Sequence, residues 1–379
     1  VSAPRACPRC LRRGRLLAHL APYIEKVATG AVGSRSPELL RLDNEDLVAA
    51  VAPRAEEKIL SAVEAVSDSG LEAALVAADC WGCCRHNPLF PVGLRDAPDA
   101  PWALIGRGDP RLLAELGEPA GVVTVVGARR ASSYGREVAR TLGRELASAG
   151  MLVVSGLAYG IDACAHRGAL ESGRTVAVLG CGPDVSYPAS HRSLWRRVQE
   201  NGLVLSELPP GTGVWRWTFP ARNRVMAALA GMTVVVEAAE RSGSLITADL
   251  AADLGRDLGA VPGPVNSRVS AGPNVLLAGG ACLVRDAQDV LDAMLGPGVG
   301  RRVGPAGVAI EPLAAEALAA VERGADNADE ISAALDLSGG EAAALLADLE
   351  ARGYVNCSLL GTYTRTLLQD PRSKGRSNI

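Results

Sequence analysis

Glycine, hydroxyl and guanidinium side chains recur in a run of short stretches between residues 127 and 263. The first reads Gly127-Ala128-Arg129-Arg130-Ala131-Ser132-Ser133, and the second runs from Ser155-Gly156 to Gly160-Ile161-Asp162. Gly180-Cys181-Gly182 follows, then Phe219-Pro220-Ala221-Arg222-Asn223-Arg224, then Ser242-Gly243-Ser244-Leu245-Ile246-Thr247, and Val261-Pro262-Gly263 closes the set. Glycine lets a backbone come close to a ligand, a helix amino terminus offers free N–H groups, and arginine forks match phosphate oxygens. One such turn is ordinary in an α/β chain. Several in succession make a surface that could track a phosphate chain, either a nucleotide or a nucleic-acid backbone.

Each residue also has a plainer use. Gly156, Gly160 and Gly180 could serve only tight strand-to-helix turns, and Asp162 at a helix start suits capping. Glu237 is placed for acid–base work but has no second carboxylate or histidine at recognisable spacing. Arg136, Arg140 and Arg144 recur every four residues, which fits a solvated helix face as well as a basic track. Trp217 and Phe219 could stack on a base or fill the core.

These turns need elements to carry them. Val122–Val126 is a β-branched run ended by Gly127, as expected of a strand buried on both faces. Strands are expected at 122–126, 152–155, 175–179, 203–206, 233–237, 258–261 and 281–284. Helices are expected at 135–149, 161–171, 190–200, 221–230, 245–254, 272–278 and 286–294. That rhythm predicts a doubly wound, extended Rossmann-like, mostly parallel sheet, in which ligands sit beyond the carboxyl ends of the strands. With only 3% aromatic residues, the core must be built of Leu, Val and Ala. The formal net charge of −3 means that any nucleic-acid site is a local patch rather than a global field.

Around this domain, residues 1–84 are expected to be a helical amino-terminal domain, with helices at 12–23, 45–51 and 56–66 and a loop at 30–36. The α/β domain is expected over 85–296, with a lead-in to 121 and a short strand at 102–105. A Pro/Gly linker follows at 297–311. Residues 312–369 read as a winged helix-turn-helix, with helices at 313–322, 328–335 and 338–352 and a wing at 354–363, and 370–379 as a disordered tail. The candidate recognition helix carries Glu341, Asp348 and Glu350 against Arg352 alone. It would repel a phosphate backbone, so a protein contact is the expected role.

The first residues show no leader peptide and no apolar run is long enough to span a bilayer, so a cytoplasmic protein with reduced thiols and no membrane partner is expected. Cys7-Pro8-Arg9-Cys10 is answered by Cys80-Trp81-Gly82-Cys83-Cys84. Two such pairs could close a tetrahedral zinc staple through Cys7, Cys10, Cys80 and Cys83, with Cys84 competing for the last place; buried structural thiols are the plainer reading. No other cofactor is expected to be required.

Taken together, Gly127-Ala128-Arg129-x-x-Ser132-x-Tyr134-Gly135, Ser155-Gly156-x-Ala158-x-Gly160-Ile161-Asp162-x-x-x-His166, Phe219-Pro220-x-Arg222-Asn223-Arg224 and Glu237-Ala238-x-x-x-Ser242-Gly243-Ser244-Leu245-x-Thr247-Ala248 resemble the DNA-processing protein A family (DprA, also called Smf) over residues 86 to 295. The resemblance implies a homodimer that binds and protects single-stranded DNA in natural transformation and helps load a RecA-type recombinase, with no bond made or broken. It implies a DNA site at Arg129 and at Phe219 and Arg222–Arg224. With the hydroxyl and glycine turns, the expected binding set is Gly127, Arg129, Ser132, Ser155, Gly156, Gly160, His166, Phe219, Arg222, Asn223, Arg224, Ser242, Gly243, Ser244 and Thr247. Ala128 stands where many members have serine. The alternative is a nucleotide-binding enzyme like the lysine-decarboxylase-like phosphoribohydrolases, whose Pro-Gly-Gly-x-Gly-Thr-x-x-Glu turn is answered here only by Ser242–Thr247 with no following Glu at that spacing.

Overall fold

In the computed structural model, nine strands form one sheet. They are β1 (Trp81–Cys84), β2 (Ala103–Gly108), β3 (Val122–Val126), β4 (Leu152–Ser155), β5 (Thr175–Leu179), β6 (Leu203–Ser206), β7 (Met232–Val235), β8 (Asp257–Ala260) and β9 (Cys282–Leu283). The structure describes residues 4–30, 36–297, 310–358 and 361–365. The tail at 370–379, most of the linker and the interior of the 30–36 loop lie outside the described residues.

The strand order is β1-β2-β6-β5-β4-β3-β7-β8-β9. The last seven in that order pair in parallel, while β1 and β2 add an antiparallel edge. The chain steps outward from β3 to β6 and then crosses back to β7, on the other side of β3. The strand order therefore reverses between β3 and β7, which is where a doubly wound sheet opens a crevice beyond its strand ends. The helix that makes the crossing, Thr218–Leu229, is anchored on β3 by the Thr124 hydroxyl, which donates to the Met226 carbonyl at 2.9 Å.

The apolar residues of β3, β4 and β5 are buried throughout, as their Val-rich sequence requires. The helices that follow β3 and β4, Ser133–Ser148 and Ile161–Ser172, lie in close contact. A Cβ on Gly143 would strike the Ala165 carbonyl, and one on Gly168 would strike that of Arg140. This close approach brings the turns at the heads of the two helices side by side. Arg140 and Arg144, on the exposed face, both reach Glu171, at 2.6 and 3.8 Å, and so lay no free basic track.

The amino-terminal helices belong to the same compact unit, which extends to Pro297, rather than to a domain of their own. Leu16, Leu20 and Ile24 of the Pro8–Gly30 helix share a core with Leu208, Trp217 and Ala221, and β1 lies within the main sheet. Trp217 is a core residue: its indole N–H donates to the Ala21 carbonyl and its amide to Glu25, each at 3.2 Å. Elements that escaped the sequence reading include β1, the helix Asp68–Ala77, capped by Ser67, and the short helices Ser36–Leu40, Val92–Arg95 and Leu112–Leu116.

The second unit consists, among its described residues, of helices Pro312–Glu322, Ala328–Leu335 and Gly339–Ala351 and an antiparallel ribbon, Val355–Cys357 with Tyr363–Arg365. Ile310, Leu318, Ile331, Leu346, Leu349 and Tyr354 form its core. Ser338 and Glu341 form a capping box, and Arg352 pairs with Asp348 at 2.9 Å.

Candidate nucleic-acid interface

A trough of about 510 Å³ opens at the β3/β7 reversal. The turn after β3 lines it with Gly127, Ala128, Arg129 and Arg130. The head of the Thr218–Leu229 helix adds Phe219, Arg222 and Asn223, and the turn beyond β7 adds Ser242, Gly243, Ser244 and Thr247. Arg268, from the Pro/Gly-rich loop after β8, completes the rim. Arg129, Arg222 and Ser244 thus share one trough. Arg268 was missed in the sequence because it belongs to no motif; the only available signal was a cation in a glycine-closed turn.

Arg129, Arg130 and Arg268 are exposed, and none has a hydrogen-bond or ion-pair partner among the described residues. The Arg129 guanidinium stacks 4.9 Å from the Phe219 ring centroid. The Asp162 carboxylate, which also lines the trough, is buried and committed: one oxygen accepts from the Gly156 and Ala158 amides at 3.2 and 3.4 Å and lies 3.8 Å from Arg222. The accessible rim is therefore cationic on a chain of negative net charge. The Thr247 hydroxyl is buried in the trough wall without a partner, and the Ser242 and Ser244 hydroxyls face each other at 2.7 Å at the start of helix Gly243–Asp253.

Other expected residues lie elsewhere or are already engaged. The Ser132 hydroxyl caps the helix after β3, accepting from Gly135, and donates to Glu237 at 2.5 Å; the Ser132 amide donates to the second Glu237 oxygen at 2.8 Å. Glu237 is thus a buried clamp that fixes the Arg129 turn. Ser155 is fully buried and donates to the Val125 carbonyl at 2.6 Å. His166 is fully buried against the Thr175 hydroxyl, with Nδ1 2.8 Å away. Arg224 points into the core, where its Nη2 donates to both Glu207 oxygens at 2.7 and 2.8 Å and its Nε stands 3.7 Å from Asp99. These four do not line the trough; Ser132, Ser155 and Arg224 each pair with a group distant in sequence, and His166 with Thr175, nine residues on.

Arg222 is present but not free. Its guanidinium donates to the carbonyls of Gly156 and Val178, the latter at 3.0 Å. Burial pushes Arg222 down and Asp162 up, each toward its neutral form, while their mutual attraction opposes both shifts. A guanidinium does not surrender its proton in a protein, so Arg222 stays charged. Asn223 donates to the Gly243 carbonyl at 3.1 Å, tying the helix head to the turn beyond β7. Gly160, at φ +75°, lies where a Cβ would strike the Ala128 carbonyl, so the two turns can touch only with glycine there.

Burial, reinforced by repulsion from Arg222 and His191, pushes the His166 imidazole down to about 3. The unfolded chain then binds the extra proton between pH 6.5 and 3. Stability from this residue is complete above 6.5 and is lost as pH falls toward 3, with a slope on the order of 1.4 kcal/mol per pH unit at most. Glu145, raised to about 7 by burial, acts oppositely, losing its contribution as pH rises through 7. The difference between wild type and His166→Gln isolates the histidine: denaturation midpoints from pH 7 down to 4 should fall less steeply in the variant. Parallel curves would show that His166 is not held neutral.

The sequence around this trough matches known proteins. A family profile described as DNA recombination-mediator protein A matches residues 82–295. A Mycobacterium tuberculosis protein named as a DNA processing protein DprA is 41% identical over 281 residues, covering 72% of this chain and 68% of its own length. Among solved structures, DNA processing protein A from Streptococcus pneumoniae is similar at TM-score 0.57 and 32% identity, covering 71% of this chain and 95% of that one. The Helicobacter pylori protein of the same name, whose structure concerns its single-stranded DNA binding mode, is similar at TM-score 0.50 and 32% identity over 54% of this chain and 93% of its own. The ordered motifs, the sheet that carries them and these matches agree: the chain belongs to the DNA recombination-mediator protein A family.

Proposed function

We propose that this chain binds single-stranded DNA along the β3/β7 trough, gripping its phosphates and cleaving nothing. The observation that carries the reading is the set of three uncommitted guanidinium groups, Arg129, Arg130 and Arg268, around a partly apolar floor that includes Phe219. A cationic groove with an aromatic platform suits single strands of any sequence. The helix head and the hydroxyl turn at Ser242–Thr247 add N–H and O–H donors to the same rim. Family membership and the similarity to the Helicobacter pylori protein support it.

The same reading makes the protein a homodimer that acts in the cytoplasm on DNA taken up in transformation and passes it to a RecA-type recombinase. No helix among the described residues is long and apolar enough to cross a membrane. The carboxyl-terminal unit is, in this reading, a winged helix that contacts protein, since its Gly339–Ala351 helix presents acids and its Arg352 is already paired.

Fluorescence anisotropy of single- and double-stranded oligonucleotides across a salt series tests the proposal. Single strands should bind more tightly, with log K falling by about 0.7 per tenfold salt for each phosphate held. Salt-independent binding, or none at low salt, would overturn it. Release of free base from nucleoside monophosphates would favour the phosphoribohydrolase reading instead.

A further inference from the structure

The geometry assigns a structural zinc site to Cys7, Cys10, Cys84 and His86, joining the start of the Pro8–Gly30 helix to the end of edge strand β1. Their four ligand atoms all lie within 4.8 Å of one another. His86 Nδ1 is 3.5 Å from each of the Cys7 and Cys10 sulfurs and 3.8 Å from that of Cys84. Zinc bonds of about 2.3 Å to sulfur and 2.0–2.1 Å to nitrogen, set tetrahedrally, put sulfur and nitrogen about 3.6 Å apart. The three observed sulfur–nitrogen separations are close to that edge length. The Cys7 amide also points at the Cys84 sulfur, 3.4 Å away, supplying the kind of outer hydrogen bond that orients a metal ligand.

This set differs from the Cys7, Cys10, Cys80, Cys83 staple expected from spacing, and the strand explains why. Successive side chains of β1 face opposite sides of the sheet. Cys83 turns into the main core with Phe90, Leu94 and Leu104, whereas Cys84, like Gly82, faces the amino-terminal helix. Cys80 precedes the strand and donates its thiol proton to the Ala78 carbonyl at 3.3 Å. His86, two residues past Cys84, supplies the fourth donor.

Four protein ligands leave no open position, so the ion is structural rather than catalytic. It closes a chain loop of more than seventy residues, a constraint that favours the folded state. The helix it fastens also bears the Ala21 carbonyl and Glu25 that hold Trp217, immediately before the head of the Thr218–Leu229 helix.

The test uses the full chain, expressed with zinc and purified without chelator. Elemental analysis should find about one zinc per chain, and X-ray absorption should show three sulfurs and one nitrogen around it. Cys84→Ser and His86→Ala should lose the metal, whereas Cys80→Ser and Cys83→Ser should keep it. Four sulfurs in the absorption spectrum, metal lost from Cys83→Ser but kept in Cys84→Ser, or wild-type protein that holds no zinc and takes up no cobalt when reduced would each overturn the assignment. The absorption measurement needs only the wild type, so it decides even if the ligand variants fail to fold.

Discussion

Arg129→Ala is expected to weaken single-stranded DNA binding by about ten- to a hundredfold while leaving the melting temperature nearly unchanged. A charge-assisted hydrogen bond contributes about 1.5–3 kcal/mol, and each 1.4 kcal/mol is a factor of ten in Kd. Arg129 is exposed, has no carboxylate partner among the described residues, and touches the fold chiefly through the Phe219 ring. Losing that stacking costs at most about 1 kcal/mol at an exposed site. The turn itself is held by backbone and by the Glu237 clamp on Ser132, neither of which needs the Arg129 side chain. The salt slope should flatten by about 0.7. Arg129→Lys should keep most of the slope but lose affinity, because an ammonium neither stacks flat on Phe219 nor forks onto phosphate. Adding Arg268→Ala should lower affinity again, since both residues line one trough. If Arg129→Ala binds with wild-type affinity and slope at every salt concentration, the trough is not where DNA lies.

The sheet was legible because its strands announce themselves. Val122–Val126, Leu152–Ser155, Thr175–Leu179 and Leu203–Ser206 are short apolar runs ended by turn residues, and each falls where expected. β1 did not announce itself: Trp81-Gly82-Cys83-Cys84 has neither alternation nor β-branched residues, and it is a strand because β2 pairs with it. That pairing also sends Cys83 and Cys84 to opposite faces. The trough was legible as a set of motifs, but which motif residue faces the ligand depends on partners far along the chain. Arg224 is taken by Glu207 and Asp99, Ser155 by Val125, and Ser132 by Glu237. Each of these polar groups would be costly to bury alone, so the fold spends them internally. Phosphate-binding composition and core-ion-pair composition look alike in a sequence.

Arg222 shows the consequence most sharply, because sequence reasoning assigns it and Arg129 the same role. Arg222→Ala is expected to destabilise the protein first and to weaken DNA binding only as a result. Truncation leaves the Asp162 carboxylate buried without its cation, and it strips donors from the Gly156 and Val178 carbonyls. Removing one partner of a buried ion pair costs about 3–5 kcal/mol. At about 2–4 °C per kcal/mol, that corresponds to a fall in Tm of about 6 to 20 °C. Arg222→Lys should recover little, because one ammonium cannot reach two carbonyls and a carboxylate together. Combining Arg222→Met with Asp162→Asn removes both charges and should restore part of the Tm that Arg222→Ala loses. Affinity measured well below every melting point then separates the two arginines. Arg129→Ala should bind poorly in a protein of normal Tm. Arg222→Ala should bind in proportion to how well the Gly156–Gly160 turn, and the Ala128 carbonyl packed against it, keep their places. A variant Arg222→Ala that melts like wild type yet loses both affinity and salt slope would mean that this guanidinium leaves Asp162 to hold phosphate directly, and the division of labour between the two arginines would be wrong.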